Sequence, residues 1–370
     1  MKLEVEAKAL TGILEKAGKA LPSRPIISLT KKIKLIARED LLTAIGTDNA
    51  LFISAWCEAE VSTPGEVLVQ PALLEIARAT RGKITLALRR ALLCVIRAEG
   101  ETFLSTEAAE DFPIPKQETE QGRFTLSKKQ LAGLATILES QDALVSHRSV
   151  YVVQDAGSNE VVCAALPKHA GRATITTITA ETGAGMSAIL PGRYLGLAAR
   201  ATNAFTVSLG NARAIITGVD CQATFPLEAG VVKPMKYFDG LIKWEAVHQW
   251  FPDSFDQFIA ELKLSEMLSM DAAPCTLEYD GMHLLLESGG NDLGYHNAQL
   301  GIEAKTTEPW RFRVNATFYI DALKHIGKGG IIELLPVKAG EGNYLNTRIS
   351  DGKTWHIISP LADIPKKEVT

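Results

Sequence analysis

The side chains with the clearest chemical use in this sequence are cations spaced along helix-forming segments. Between Leu73 and Arg81, Leu73, Leu74, Ile76 and Ala77 form one apolar side, and Arg78 and Arg81 share the other at i, i+3. Arg193 and Arg200 stand seven residues apart, two turns along one helical face. Lys324 and Lys328 are spaced i, i+4 with His325 beside them, Lys8, Lys16 and Lys19 cluster on one side of a leading helix, and Lys128 and Lys129 open another. One charged helix face is ordinary solvated surface. The same sign at equivalent positions of several segments is less ordinary, because basic helices gathered on one surface meet phosphates without reading bases.

Bond-making chemistry is harder to find. The sequence contains no GxSxG, HExxH, GxxxxGK[ST] or GxGxxG. Gly327-Lys328-Gly329-Gly330 is too short for a phosphate loop and reads as a helix stop. The carboxylates of Glu107, Glu110 and Asp111 precede Phe112-Pro113 in a turn and read as solvated surface. His169 and Arg172 lie in a polar stretch after a strand and are available to a binding site. Cys57, Cys94, Cys163, Cys221 and Cys275 are far apart with no CxxC pair, which gives neither a disulfide framework nor a zinc site. The expectation is a protein that is not an enzyme, with no catalytic residues, no metal and no cofactor.

The elements that would position these cations recur. One stretch runs Val69 to Arg78, Lys83 to Leu88 and Leu92 to Arg97, ending at Phe112-Pro113. A second runs Ile189 to Ala198, Phe205 to Leu209 and Ala214 to Ile216, ending at Phe225-Pro226. A third runs Phe312 to Lys324, Ile331 to Leu335 and Asn346 to Ile349, ending at Ser359-Pro360-Leu361. Each reads as a short strand, a helix and two or three antiparallel strands. A half-unit precedes two of them: helical spacing over Leu10 to Leu21 before Ile33 to Ile36, and over Leu131 to Leu138 before Val150 to Val153. The stretch Phe251 to Met270 reads as the third leading helix, with a poorer match.

A repeat of about 120 residues in a chain of 370 gives three similar domains rather than a solenoid. Polar runs at Lys116 to Gly122 and around Gly230 to Lys236 read as linkers, which divides the chain into 1–121, 122–235 and 236–370. The fold class is α+β, with helices packed on antiparallel sheets. Composition agrees: 46% hydrophobic and 22% charged residues is globular, and no apolar run approaches the roughly 18 residues of a membrane span. The N-terminus lacks the apolar core of a signal peptide, so a cytoplasmic protein without a membrane partner is expected. The formal charge is −4, from 39 Lys+Arg against 43 Asp+Glu, so any basic surface must be local.

With these repeats in place, the chain resembles the bacterial DNA polymerase III beta subunit family, the replicative sliding clamps. Gly46-Thr47-Asp48-Asn49-Ala50-Leu51, Leu104-Ser105-Thr106 with Glu110-Asp111-Phe112-Pro113, and Arg123-Phe124-Thr125-Leu126 resemble family segments in order and spacing. The resemblance implies the DNA-clamp fold, with three similar domains per subunit and a ring closed by head-to-tail dimerisation of two copies. It implies a processivity factor that encircles duplex DNA, independent of sequence, and tethers DNA polymerase III, the clamp loader and other DNA-acting proteins through short linear motifs. Arg24 and Arg148 would then lie near DNA with Arg78, Arg81, Arg193, Arg200 and Lys324. A partner-peptide cleft would involve Tyr151, His169, Arg172, Pro226, Val231, Pro360 and Leu361.

The sequence departs from the family at that cleft. Lys168-His169-Ala170-Gly171-Arg172-Ala173 replaces an aspartate-glycine-histidine-arginine-leucine run, and Gly230 stands where a basic residue is expected. Asp253, Asp256, Glu261 and Glu266 also make the third leading helix acidic, which would repel phosphate if it faced DNA. These departures raise two alternatives: a divergent paralogue serving a dedicated phage, plasmid or mobile-element partner, and an interaction protein that no longer encircles DNA. The subunit interface is expected to use an edge strand near Thr102 to Ser105.

Overall fold

The computed structural model describes residues 1–24, 27–115, 118–131, 134, 149–165, 171–181, 185–201, 205–268, 273–291, 294–339 and 342–361. The chain forms two compact units that interleave in sequence. One contains residues 1–128 and 180–229, and the other contains 129–179 and 230–370. The middle third of the chain therefore contributes to both.

In the first unit, a five-stranded antiparallel sheet has the order Glu60–Thr63, Lys2–Glu6, Lys83–Arg89, Leu92–Arg97, Gly100–Ser105. An eight-stranded sheet has the order Gly122–Leu126, Phe205–Leu209, Arg213–Thr217, Cys221–Pro226, Phe52–Glu58, Leu41–Thr47, Ile33–Arg38, Gly65–Val69. Its central joint pairs Cys221 with Ala55 and Thr224 with Phe52, so strands more than 160 residues apart share one hydrogen-bond ladder.

Helix α1 (Ala7–Gly18) buries Ala7, Leu10, Ile13, Leu14 and Ala17, one stripe at helical spacing. It packs on strands Phe52–Glu58 and Leu41–Thr47 and beside α2 (Ala72–Ala79), which buries Leu73 and Ala77. Gly46 sets the depth of that packing, since a Cβ there would collide with the backbone carbonyl of Ala17. Helix α3 (Gly192–Ala201) buries Leu195, Ala198 and Ala201 along one side.

Helix α2 is shorter than its sequence suggests. Thr80 turns extended (φ −96°, ψ 141°), and Gly82 takes φ 79°. Arg81 thus lies beyond the helix, and the expected Arg78–Arg81 face does not form.

The second unit carries one antiparallel run with the order Ser149–Gln154, Glu160–Ala165, Arg172–Thr179, Thr354–Ile358, Gly342–Ser350, Ile331–Ala339, His248–Pro252, Gly294–Ala304, His283–Asn291, Pro274–Tyr279, Trp310–Asn315. Here too a distant pair makes the joint, with Arg172 opposite Ile358 and Thr176 opposite Thr354.

Helix α4 (Met235–Ile242) was not expected from the sequence. Its Met235 and Phe238 cover Val153, Val162, Ala164, Ile175 and Ile357, and Tyr151, Ala173 and Val232 pack at the margin. Arg348, only 7% exposed, donates to the Ile242 carbonyl at 2.6 Å and to Glu333 at 2.7 Å, fixing the end of α4 to the sheet.

The stretch read as one helix from Phe251 divides. His248–Pro252 is a strand, and α5 (Phe255–Met267) starts only where the Ser254 hydroxyl accepts from the Gln257 amide. Helix α6 (Ala316–Ile326) begins at Asn315, whose side chain accepts from the Phe318 amide, and stops at Gly327 with φ 81°. Gly327 is the helix stop read from the sequence. Helices α5 and α6 enclose Trp250, Phe258, Leu262, Tyr319, Ile320 and Leu323.

Two glycine substitutions test the packing with opposite signs. Gly46→Ala inserts a methyl against backbone and is expected to cost about 1–3 kcal/mol. Gly12→Ala, in α1 with open space around its Cβ position, is expected to gain about 0.5–1 kcal/mol. Denaturant midpoints of the two variants check both.

Candidate nucleic-acid interface and partner cleft

Each cation of the first unit has a distinct setting. Arg78, at the end of α2, donates to Glu75 at 2.8 Å and through Nε and Nη2 to Glu15 of α1 at 3.2 and 2.9 Å. Its charge is balanced twice over inside the helix pair. Lys16 of α1 is paired with Asp220, and the Lys19 ammonium donates to the Arg200 carbonyl. Burial, then the neighbouring Arg200, holds Lys19 below the ordinary lysine range.

Arg193 and Arg200 do share a helix, seven residues apart on α3, and both are exposed. Arg193 lies over the Tyr194 ring, 5.8 Å from its centroid. Its nearest carboxylate, Asp48, is 3.8 Å away and already accepts from the Ala50 and Leu51 amides at 3.0 and 2.7 Å. Asp48 thus has a turn-closing role in the stretch Gly46 to Leu51. Arg24 and Arg81 are exposed, and Arg148 lies outside the described residues.

In the second unit, Lys324 is exposed on α6, whereas Lys328 lies past the helix stop and pairs with Asp256 at 2.7 Å. The acidic face of α5 is largely engaged. Asp256 holds Lys328, Glu261 lies 3.0 Å from His296 Nε2, and Glu266 accepts from the Thr317 hydroxyl at 2.7 Å. These side chains are therefore not a bare anionic stripe.

The residues assigned to the cleft separate by environment. Tyr151 is half-buried at the margin of α4, and Val231 is 88% exposed. Pro226 ends a strand of the first unit, opposite Arg213. Ser359 donates to the Gly171 carbonyl at 2.6 Å and Leu361 to the Arg313 carbonyl at 2.8 Å, which leaves Pro360 and Leu361 half-buried beside the start of strand Arg172–Thr179.

Arg172 itself is turned inward. It is 5% exposed, donates to Asp321 at 3.0 Å and lies 5.4 Å from the Phe318 ring centroid. No local pattern signals this, because both partners come from α6, about 150 residues away. His169 lies outside the described residues.

No group of three or more His, Cys, Asp or Glu is placed to hold a metal ion among the described residues. Burial pushes the Cys57 and Cys221 thiols up to about 11 and Cys275 up to about 12, away from thiolate chemistry.

Residues 1–116 match the family model described as DNA polymerase III beta subunit, N-terminal domain. The fold of the whole chain is the DNA-clamp fold. The Pseudomonas aeruginosa DNA polymerase III subunit beta is 15% identical and superimposes over 98% of this chain and 100% of that one, with a TM-score of 0.82. The Streptococcus pyogenes beta subunit gives 14% identity, the same coverages and a TM-score of 0.83. The Helicobacter pylori beta clamp, solved bound to a DNA ligase peptide, gives 16% identity, the same coverages and 0.81.

Charge changes compare the exposed cations of α3 with Arg78, which is held between two carboxylates. Arg193→Glu with Arg200→Glu is expected to weaken duplex binding and to lower the salt slope, log K against log salt, by about 1.8, the share of two phosphate contacts. Arg78→Ala is expected to change that slope by less than about 0.5, since Glu15 and Glu75 already neutralise it. Fluorescence anisotropy over a salt series measures both.

Proposed function

We propose that this protein is a DNA sliding clamp, two copies closing head to tail into a ring around duplex DNA. The observation that carries the reading is full-length agreement with clamp folds in a chain whose first 116 residues match the family by sequence. In this reading the chain divides into three clamp domains, 1–121, 122–235 and 236–370, and works in the cytoplasm without catalysing a reaction. Arg24, Arg81, Arg148, Arg193, Arg200 and Lys324 contact phosphates, whatever the sequence. Topology rather than affinity holds the ring in place, so a modest number of cations is enough.

Closure uses strand Gly100–Ser105, which is the edge of its sheet. Phe103 is 52% exposed there and Leu92, on the neighbouring strand, is 44% exposed. A free edge with an exposed aromatic is a hazard for a lone subunit and a natural seat for a second copy.

The ring tethers DNA polymerase, a clamp loader and other DNA-acting proteins through peptides held near Tyr151, Val231, Pro360 and Leu361. A second reading, a specialised clamp serving a dedicated partner, gains support from Arg172, whose guanidinium is spent on Asp321 and Phe318 instead of being offered to a peptide.

Topological retention tests the ring. On a nicked circular plasmid, after loading by a clamp loader, the protein is expected to remain with the DNA through gel filtration and to be lost when the plasmid is cut once. Phe103→Glu is expected to sediment as single chains and to be lost from circle and linear DNA alike. Retention indifferent to cutting would contradict the proposal.

A further inference from the structure

The second unit buries a chain of polar groups that the clamp reading leaves unused. Thr174 Oγ1 lies 2.7 Å from His356 Nδ1, His356 Nε2 lies 2.8 Å from His325 Nδ1, and His325 Nε2 lies 2.5 Å from the Lys129 carbonyl oxygen. Thr174 and His356 are 0% exposed, and His325 is half-buried.

A carbonyl oxygen only accepts, so His325 carries its proton on Nε2. Neutral His325 then accepts at Nδ1, which makes His356 a donor through Nε2. Neutral His356 accepts at Nδ1, which makes the Thr174 hydroxyl the donor. One backbone oxygen therefore fixes two tautomers and the direction of one hydroxyl.

The chain crosses four segments: strand Arg172–Thr179, strand Thr354–Ile358, the last turn of α6, and Lys129, in a helical stretch over 128–131. Lys129 closes the contact from its own side, donating to the Ile326 carbonyl at 3.2 Å and to Asp351 at 2.9 Å. The C-terminus of α6 and Lys129 thus hold one another by reciprocal bonds.

We propose that this chain is an acid-released latch, holding α6 to the strand pair and to Lys129 while both imidazoles are neutral, and letting go when either takes a second proton. A second proton on His325 sets N–H against N–H at its contact with His356 unless the whole chain reverses, and one on His356 occupies Nδ1 and reverses the Thr174 bond directly. Reversal would leave the fully buried Thr174 hydroxyl needing a new acceptor.

The surrounding charges act in the same direction on balance. Arg172 faces the imidazoles from strand Arg172–Thr179 and Lys129 from the opposite segment; Asp351 faces them from the turn before Thr354, and α6 itself carries Lys324 and Asp321, the latter engaged by Arg172. Burial first, then Arg172, holds His356 well below the ordinary histidine range, and burial holds His325 below it, with Asp351 opposing in both cases. The folded protein thus binds fewer protons than the unfolded chain below about pH 6.5. Stability is then full above that pH and falls as pH drops, by at most about tenfold in the folding constant per pH unit and histidine.

The test uses the full-length protein with ¹⁵N-labelled histidine. Long-range ¹H–¹⁵N spectra at pH 7.5 are expected to show His325 and His356 both neutral and both protonated at Nε2. Unfolding midpoints from pH 7.5 to 5.0 are expected to fall more steeply for the wild type than for His356→Gln, with His283→Gln, at a half-exposed site outside the hydrogen-bonded chain, following the wild type. Either imidazole found charged or Nδ1-protonated at pH 7.5 would overturn the proposal, as would parallel pH profiles for the wild type and His356→Gln. Should His356→Gln fail to fold, the tautomer spectra of the wild type decide alone.

Discussion

The architecture depends on two antiparallel ladders between strands far apart in sequence. Cys221–Pro226 pairs with Phe52–Glu58 in one unit, and Arg172–Thr179 pairs with Thr354–Ile358 in the other. Each converts two sheet edges, which would otherwise expose unpaired amides and carbonyls, into the interior of a longer sheet. The helices can then lie on a continuous surface, and the cations on them are set by where that surface runs. The second ladder also has a polar inner face, with Thr174 opposite His356 and Thr176 opposite Thr354, their side chains bonded at 2.7 and 3.2 Å. A slip of one strand by one residue would carry one member of each pair to the opposite face, so these buried polar pairs help to specify register.

Charge is arranged frugally on this frame. Arg78 is neutralised by Glu15 and Glu75, Lys16 by Asp220, Lys328 by Asp256 and Lys129 by Asp351. Arg193 is the contrasting case, at 73% side-chain exposure with its nearest carboxylate 3.8 Å away and committed to backbone amides. A protein with net charge −4 can meet a polyanion with such a surface if its hold is topological, because the cations then need only guide the duplex.

Much of the fold was legible because it rests on local periodicity. Leu10, Ile13, Leu14 and Ala17 mark α1, the Arg193–Arg200 face survives intact in α3, and Gly327 stops α6 as read. The readings that changed depend on single backbone turns or on distant partners. Arg81 left its helix because Thr80 turns extended, and α5 starts late because Ser254 caps it. Helix α4 follows a Gly- and Pro-containing stretch that looked like a linker, and its reason to be helical is the apolar sheet face it covers. Arg172 and the acids of α5 could be read only as surface charge until Asp321, Phe318, Lys328 and Thr317 were brought to them by the fold.

Ring closure is measured most directly by negative-stain electron microscopy of the purified protein, with particles classified for a central opening. Two-subunit rings whose opening admits a DNA duplex are expected. Compact particles without an opening, at concentrations where the protein sediments as a dimer, would contradict it and leave the clamp fold serving some purpose other than encircling DNA.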